Sequence, residues 1–215
     1  MYKNFIWDFD GTLVDTDRCI MACYNIILKE YGIAEKEEKI MQIVKEGSKL
    51  KATEYLIDKY KKFTKDDFFE KYDKIDKMPE IYLEAEAIPG AIEICKYIKK
   101  LGYKNIIVTN RGENTEEILK KLKMYDLFDF IMFYGKDGVF ERKPDIGMFE
   151  YVIKKYDLEI KETLSIGDRT LDYLASKKIN LPTCMFNARY DKEKIKPEFD
   201  IKSLYELKNI IEGKV

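Results

Sequence analysis

Short apolar runs alternate with amphipathic stretches along the second part of the sequence, and this alternation most narrows the possible folds. The apolar runs lie at 105–109, 128–133, 163–167 and 183–186, and apolar residues recur at helical spacing over 91–101, 114–124, 145–156, 171–178 and 204–211. Strands that alternate with helices are typical of a parallel sheet with helices on both faces. The run Phe5-Ile6-Trp7 predicts one more buried strand, which Gly11 ends with a turn. We therefore expect an α/β fold whose sheet has about five strands.

A helical block separates the first predicted strand from the others. Apolar residues recur at helical spacing over 18–31, 36–46, 50–61 and 65–77, and no strand-like alternation interrupts them. A chain of 215 residues is long enough for one large domain or two small ones. We expect a core domain from residues 1–16 and 87–215, with an inserted helical domain from residues 17–86.

The composition excludes several kinds of chemistry. The sequence has no histidine, which rules out a Ser-His-Asp triad, a His-activated cysteine and an HExxH zinc site. Its four cysteines form no CxxC pair, so reduced thiols are expected. A formal net charge of −1 provides no basic excess for binding nucleic acid or an anionic membrane. Because no signal-peptide pattern and no long apolar stretch is visible, the expected location is the cytoplasm.

Two aspartates follow the first predicted strand, in the segment Asp8-Phe9-Asp10-Gly11-Thr12. Because side chains alternate along a strand, Asp8 and Asp10 should point the same way. Two carboxylates so close would repel each other at pH 7, unless a cation lies between them or one of them holds a proton. Gly11 allows a sharp turn that exposes main-chain amides near both carboxylates. This pattern favours a functional site over a polar turn at a strand end.

Three further polar signals follow the later predicted strands. Thr109-Asn110 places a hydroxyl and free amides where an anion could bind. Lys143 precedes a proline that keeps it outside the next helix. Asp168 and Asp172 are spaced for one face of a helix start, where an aspartate is also an ordinary cap. Taken in order, the four signals supply what phosphoryl transfer needs: a nucleophile, Mg²⁺ ligands, donors to phosphate oxygens and a cation.

In these motifs the sequence resembles the haloacid dehalogenase superfamily of phosphohydrolases. The segments that carry the resemblance are 8–16 (DFDGTLVDT), 108–110 (VTN), 142–145 (RKPD) and 166–168 (IGD), and they span nearly the whole chain. The sequence looks most like the phosphoglycolate phosphatase-like and β-phosphoglucomutase-like subgroup, which has an all-helical cap. The resemblance implies a Rossmann-like core with the helical block as the cap. It also implies that the first strand neighbours the second and fourth, a switch point where open α/β sheets bind ligands.

The resemblance implies the following catalytic and metal-binding roles. Asp8 would be the nucleophile that forms an aspartyl-phosphate. Asp10 would protonate the leaving oxygen and then deprotonate the attacking water. Mg²⁺ would bind Asp8, the main-chain carbonyl of Asp10, and Asp168. Asp172 would tune the metal or Lys143 from behind these ligands.

Phosphate binding and substrate choice are implied for other residues. Thr109 would donate to a phosphate oxygen, with the amides of Gly11 and Asn110 close by, and Lys143 would hold the nucleophile and the phosphate together. The cap would decide the substrate. Lys49, in the turn 45–49 between two cap helices, is the candidate contact to a substrate anion, although a solvated turn explains it equally well.

The predicted activity is Mg²⁺-dependent hydrolysis of a phosphate monoester of a small metabolite, by a monomer or weak homodimer. A phosphomutase resembling β-phosphoglucomutase stays open, because its core would be nearly the same. A phosphonate hydrolase that uses a cap lysine is not excluded by residue types. Asp10 and Asp168 argue against a dehalogenase, and the intact motifs argue against a non-enzymatic scaffold. The segment 184–189 resembles a cysteine phosphatase loop, but it is one residue too short and lacks glycines.

Overall fold

The apolar runs of the sequence form a parallel sheet, described here from a computed structural model that covers residues 1–188 and 190–215. In chain order the strands are β1 (Asn4–Trp7), β2 (Val14–Asp15), β3 (Glu86–Ala87), β4 (Lys104–Thr109), β5 (Phe130–Phe133), β6 (Thr163–Gly167), β7 (Thr183–Phe186) and β8 (Phe199–Ile201). Six of them form one sheet in the order β5-β4-β1-β6-β7-β8, and every pairing in it is parallel. The α/β fold class is confirmed.

The sheet has one strand more than the sequence predicted. The additional strand is β8, which pairs with β7 at the edge of the sheet. Only three residues long, with a central aspartate, β8 is too short to show a hydrophobic pattern. The antiparallel pair of β2 and β3 was also missed, for the same reason, since each strand has two residues.

The chain divides into two compact units, one formed by Met1–Asp15 with Glu86–Val215 and the other by Thr16–Ala85. The first unit contains the sheet and five helices: α6 (Ala91–Lys100), α7 (Asn114–Lys121), α8 (Gly147–Tyr156), α9 (Thr170–Lys178) and α10 (Leu207–Ile211). The second unit is helical, with α1 (Asp17–Glu30), α2 (Glu37–Glu46), α3 (Lys49–Tyr60), α4 (Lys65–Asp76) and the short α5 (Pro79–Tyr82). The long helices thus begin and end within a few residues of the predicted bounds.

Local chemistry fixes several helix ends. The Ser48 hydroxyl accepts a hydrogen bond from the Lys51 amide at the start of α3. Thr64 and Asp67 form a capping box at the start of α4, where each side chain satisfies a main-chain amide that the helix leaves without a partner. Gly102 lies just after α6 at φ +74°, a left-handed conformation that glycine adopts without a steric penalty.

Each unit has its own apolar interior. All four residues of β1 are buried, and the indole Nε1 of Trp7 donates to Oδ1 of Asn105 at 3.0 Å, which satisfies a polar group deep in the sheet unit. In the helical unit, aromatic rings pack together, with the Tyr24 and Phe68 centroids 4.9 Å apart and the Phe63 and Phe68 centroids 5.4 Å apart. Aromatic burial of this kind contributes strongly to a small helical core.

The order of the strands determines where polar side chains can meet. β1 lies between β4 and β6. From β4 the strand order continues to β5 at one edge of the sheet, and from β6 it continues through β7 to β8 at the other edge. The residues that follow the carboxyl ends of β1, β4 and β6 are Asp8, Asn110 and Asp168. Because parallel strands end at the same edge, the predicted motif residues come together at this switch point. Within the described residues, no helix is long and apolar enough to cross a membrane.

Candidate active site

A buried lysine joins two aspartates at the carboxyl edge of the sheet. The Nζ atom of Lys143 lies 2.6 Å from Oδ1 of Asp8 and 2.6 Å from Oδ1 of Asp172, and it also donates to the main-chain oxygen of Val108 at 3.0 Å. Asp8 comes directly after β1, and its amide donates to the oxygen of Ile166 in the neighbouring strand at 2.8 Å. The three charged side chains are therefore held between β1, β4 and α9.

Burial and charge shift the pKa values of this cluster. Burial by itself lowers the pKa of Lys143, but Asp172 and Asp8 outweigh it, so the pKa of Lys143 lies above its ordinary value and the ammonium stays charged. The pKa of Asp8 is raised to about 7, mainly by burial; Lys143 opposes the rise, and the charges of Asp172 and Asp10 add to it. The cluster thus holds more negative charge than one lysine neutralises.

A third carboxylate completes the acidic cluster. Asp168 follows β6, and its Oδ1 accepts a hydrogen bond from the Thr12 hydroxyl at 3.2 Å. Gly11 has φ +81°, and a Cβ atom there would lie only 2.5 Å from Oδ2 of Asp168. Glycine is therefore required at this turn both for its conformation and for the close approach of the carboxylate. Burial and the charge of Asp8 raise the pKa of Asp168 well above its ordinary value.

The acidic cluster could hold a metal ion. Asp8, Asp168 and Asp172 each offer a carboxylate oxygen, and these oxygens lie within 4.8 Å of one another. Such oxygens are the ligands that Mg²⁺ and Ca²⁺ prefer. Asp172 is already engaged at both oxygens, because Oδ1 accepts from Lys143 and Oδ2 accepts from the Arg169 amide at 3.1 Å. A divalent cation would thus fit best between Asp8 and Asp168, where it would offset the surplus negative charge.

Asp10 faces a buried arginine. Its Oδ1 accepts a hydrogen bond from NH1 of Arg111 at 3.0 Å, and the Arg111 side chain is 2% exposed. Nε of the same guanidinium donates to Oδ1 of Asn114 at 3.0 Å. The guanidinium is therefore fixed between the turn after β1 and the start of α7. The sequence motifs did not identify Arg111, although its place directly after Thr109-Asn110 at a strand end was a signal.

The motif that follows β4 orients a hydroxyl and a loop. Thr109 is buried, and its Oγ1 accepts a hydrogen bond from the Arg111 amide at 3.0 Å, which leaves the hydroxyl proton directed elsewhere. The Asn110 side chain accepts from the Lys143 amide at 2.6 Å and donates to the Lys143 oxygen at 3.1 Å. Asn110 thus holds the main chain of Lys143 in place, a function that its sequence position did not indicate.

The structure therefore gathers most of the predicted site residues at one edge of the sheet unit. Lys143 contacts both Asp8 and Asp172, and a second set of contacts links Asp10, Thr109 and Arg111. Thr12 also belongs to the site, because its hydroxyl donates to Asp168. The sequence motif contains Thr12 but indicated no role for it. These contacts come from residues up to 156 positions apart in the chain.

Lys49 belongs to the helical unit, where it is the first residue of α3. Its Nζ lies 4.7 Å from the centroid of the Tyr72 ring, and its main-chain oxygen accepts from the Tyr24 hydroxyl at 2.7 Å. The turn predicted between two helices at this point is present, since α2 ends at Glu46. Within the helical unit, the Lys49 ammonium therefore packs against the Tyr72 ring.

Cys184 lies in β7 and is fully buried, and burial raises the pKa of its thiol above the ordinary value. A reactive cysteine needs a lowered pKa and an accessible thiolate, so Cys184 is a core residue. Arg189, the other end of the loop that resembles a cysteine phosphatase motif, lies outside the described residues.

Comparison with known proteins finds related sequences over most of the chain. The sequence matches the haloacid dehalogenase-like hydrolases over residues 5–186. Phosphoglycolate phosphatase 1 of Pseudomonas aeruginosa is 26% identical over 183 residues, which cover 80% of this chain but only 64% of that protein. Pyrophosphatase PpaX of Bacillus cereus is 25% identical over 224 residues, which cover 97% of this chain and 96% of that protein.

Solved structures share the fold. A haloacid dehalogenase-like hydrolase of Streptococcus pneumoniae has a TM-score of 0.81 at 18% identity, with 98% of each chain covered. The match over residues 5–186 spans most of this chain, so the chain belongs to the haloacid dehalogenase-like hydrolases. Within that family its sequence is similar to phosphoglycolate phosphatases. The predicted family membership is confirmed.

Proposed function

We propose that this enzyme hydrolyses phosphate monoesters of small metabolites through an aspartyl-phosphate formed on Asp8, with Mg²⁺ bound at the acidic cluster. The observation that carries the proposal is the position of Asp8, buried at the switch point, with Lys143 at 2.6 Å and Asp168 close by. A carboxylate that a fixed ammonium orients is suited to nucleophilic attack on phosphorus. The family match supports the same chemistry.

The chemistry would run in two steps. In the first, an oxygen of Asp8 attacks phosphorus, the bond from phosphorus to the ester oxygen breaks, and Asp10 gives its proton to the departing alcohol. In the second, Asp10 takes a proton from water, the water oxygen attacks phosphorus, and the bond to Asp8 breaks to release inorganic phosphate. Asp10 ends the cycle protonated, as it began.

Other residues would stabilise charge on the phosphoryl group. Lys143 would neutralise one oxygen of the phosphate while it holds Asp8, and the Thr109 hydroxyl would donate to another. Asn110 supports this arrangement through its two hydrogen bonds to the Lys143 main chain. Mg²⁺, when bound by Asp8, Asp168 and the main-chain oxygen of Asp10, would supply positive charge that reduces repulsion between the nucleophile and the phosphate.

The proposed substrate class is small phosphorylated metabolites. One relative is named for phosphoglycolate and another for pyrophosphate, so both compounds are first candidates. We assign the choice among such substrates to the helical unit, as a cap domain formed by residues 17–86, because the core residues serve the phosphoryl group that all these esters share. We place the enzyme in the cytoplasm, as a monomer or weak homodimer.

The test is a panel of phosphorylated compounds given to the purified wild-type protein and to Asp8→Asn. We expect the wild type to release inorganic phosphate from p-nitrophenyl phosphate and from at least one of phosphoglycolate and pyrophosphate. Asp8→Asn should lose at least about 10³-fold in kcat while its circular dichroism spectrum stays unchanged. A folded Asp8→Asn protein with near-normal turnover would remove the nucleophile from its assigned role.

The phosphomutase alternative makes a different prediction. A mutase would convert β-glucose 1-phosphate to glucose 6-phosphate in the presence of a bisphosphate primer, and it would release little inorganic phosphate. Measuring both products from the same reaction separates the two activities.

A further inference from the structure

Arg111 links the two motifs that the proposed mechanism uses for proton transfer and phosphate binding. Its guanidinium donates to Oδ1 of Asp10, and its amide donates to Oγ1 of Thr109. The first acceptor lies 101 positions from Arg111 in the chain, and the second lies 2 positions from it. One residue therefore sets the position of both side chains at once.

We propose that Arg111 is a positioning residue that aims Asp10 at the leaving oxygen of the substrate, an inference that rests on the proposed function. A guanidinium only donates hydrogen bonds. Oδ1 of Asp10 is therefore kept as an acceptor. The hydrogen bond from the buried guanidinium thus holds the carboxyl group of Asp10 in one orientation.

The surroundings of Arg111 support a positioning role over contact with substrate. The side chain is 2% exposed, whereas the side chain of Asp10 is 28% exposed, so the aspartate is the member of the pair that solvent and ligands can reach. Nε of Arg111 is held by Asn114, the first residue of α7. A guanidinium fixed on two sides loses little further conformational freedom when it holds a third group.

If Arg111 has this role, the loss of rate in an Arg111 variant should depend on the leaving group of the substrate. A poor leaving group needs its oxygen protonated as the bond to phosphorus breaks, whereas p-nitrophenolate leaves as an anion with little assistance. Loss of Arg111 should therefore slow substrates with basic leaving groups more than those with acidic ones. A general weakening of the fold would slow the whole series by the same factor.

The experiment measures kcat/KM for a series of substituted phenyl phosphates, from p-nitrophenyl phosphate to phenyl phosphate, in wild type and Arg111→Gln. We expect a loss of about 5-fold with p-nitrophenyl phosphate and about 100-fold with phenyl phosphate, within the range that general acid catalysis contributes. Arg142→Gln is the matched control, since Arg142 is exposed, and its guanidinium lies 4.1 Å from the centroid of the Tyr134 ring. It should keep the wild-type dependence on the leaving group.

A double-mutant cycle gives the second readout. If Arg111 acts through Asp10, then Arg111→Gln should cost less than about 3-fold in an Asp10→Asn background, because the group it positions is already removed. A loss that multiplies with that of Asp10→Asn would overturn the proposal, and so would an equal loss across the whole substrate series.

Asn114→Ala provides a milder variant in case Arg111→Gln does not fold. It removes the partner of Nε and keeps the charge of Arg111, so the dependence on the leaving group should steepen in the same direction by a smaller factor. If a folded Asn114→Ala protein had a displaced Arg111 side chain but the wild-type dependence of kcat/KM on the leaving group, the positioning role would be contradicted. Failure of the proposed function is distinct: the wild type itself would then not release phosphate, or Asp8→Asn would remain active.

Discussion

Lys143 and Asp172 form a buried ion pair, with Nζ and Oδ1 2.6 Å apart and both side chains at most 2% exposed. Asp172 is placed there by α9, where its other oxygen accepts from the Arg169 amide and caps the first turn. Gly167 makes this approach possible, because a Cβ atom at that position would lie 2.5 Å from Cβ of Asp172. The charge of Lys143 is therefore balanced even before a phosphate arrives.

Asp172→Asn should lower the stability of the protein. A buried ammonium that loses one of its two carboxylate partners keeps most of its desolvation cost and loses part of the compensating attraction. We expect the free energy of unfolding to fall by about 3 kcal/mol, measured by urea denaturation at pH 7. Glu150→Gln removes an exposed carboxylate from the first turn of α8 and should change stability by less than about 0.5 kcal/mol. A small effect of Asp172→Asn would mean that Asp8 alone balances Lys143.

Removal of divalent metal should abolish turnover, and Mg²⁺ should restore it. The clustered carboxylates are hard oxygen ligands, and the sequence has no histidine to offer a softer site. Ca²⁺ should restore less activity, because its larger and looser coordination would misplace the phosphate. The measurement is phosphate release after EDTA treatment and dialysis, with each metal added back.

Metal binding can also be followed without turnover. A ligand that binds the folded protein raises its melting temperature, so Mg²⁺ should stabilise the EDTA-treated wild type. Asp168→Asn should lose this stabilisation. Full activity after exhaustive chelation, or an equal Mg²⁺ shift in Asp168→Asn, would contradict the metal assignment.

Glu35 in the helical unit should make the stability of that unit depend on pH. Its Oε2 accepts from Lys59 at 2.6 Å and from the Tyr55 hydroxyl at 2.9 Å, and Oε1 accepts from the Lys36 amide. The hydrogen bond from Lys59 is the main reason that the pKa of Glu35 is lowered to about 2. A lowered pKa means that the folded state favours the carboxylate, so the stabilisation is present above the ordinary value of 4.5 and is lost as pH falls toward 2.

Glu35→Gln tests this linkage. The variant should be less stable than the wild type at pH 6 by about 1 kcal/mol, a modest figure because Lys59 is partly exposed. The difference should shrink steadily between pH 4.5 and pH 2, because in this range Glu35 takes up a proton in the unfolded wild-type chain more readily than in the folded one. Melting temperatures of both proteins across this range provide the measurement. A difference that is constant with pH would show that packing, and not ionisation, accounts for the role of Glu35.

The sequence was sufficient to predict the fold and to identify the motif residues of the sheet unit. It did not predict which of these side chains contact one another. Hydrophobic periodicity was sufficient for the main strands and helices, because each lies in a run long enough to show a period. It failed for β8, whose three residues show none. Arg111 was missed because its role depends on a partner 101 positions away, and no local pattern records which side chains the strand order brings together. The assignment of the Asn110 amide to phosphate stays a prediction, and the structure adds a contact that the motif did not indicate, since the Asn110 side chain holds the Lys143 main chain.

Lys49 should affect the choice of substrate without affecting the chemical step. The residue is a lysine at the start of α3, with its ammonium 4.7 Å from the centroid of the Tyr72 ring. An ammonium held by an aromatic face keeps its charge and can still donate to an anion. If the helical unit discriminates between substrates as a cap, then Lys49→Ala should lower kcat/KM for the preferred anionic metabolite by about 1–3 kcal/mol, as expected for one charge-assisted hydrogen bond.

The comparison with a generic ester isolates this role. Hydrolysis of p-nitrophenyl phosphate by Lys49→Ala should change much less than that of the preferred metabolite, because every phosphomonoester presents the same phosphoryl group to the sheet unit. Lys65→Ala is the matched control, since Lys65 is an exposed lysine that also begins a helix of the same unit. Equal losses on both substrates would place the effect in the fold or the chemistry. If neither substrate were affected, Lys49 would be a surface lysine that packs on Tyr72, and the discriminating contact would lie elsewhere in the helical unit.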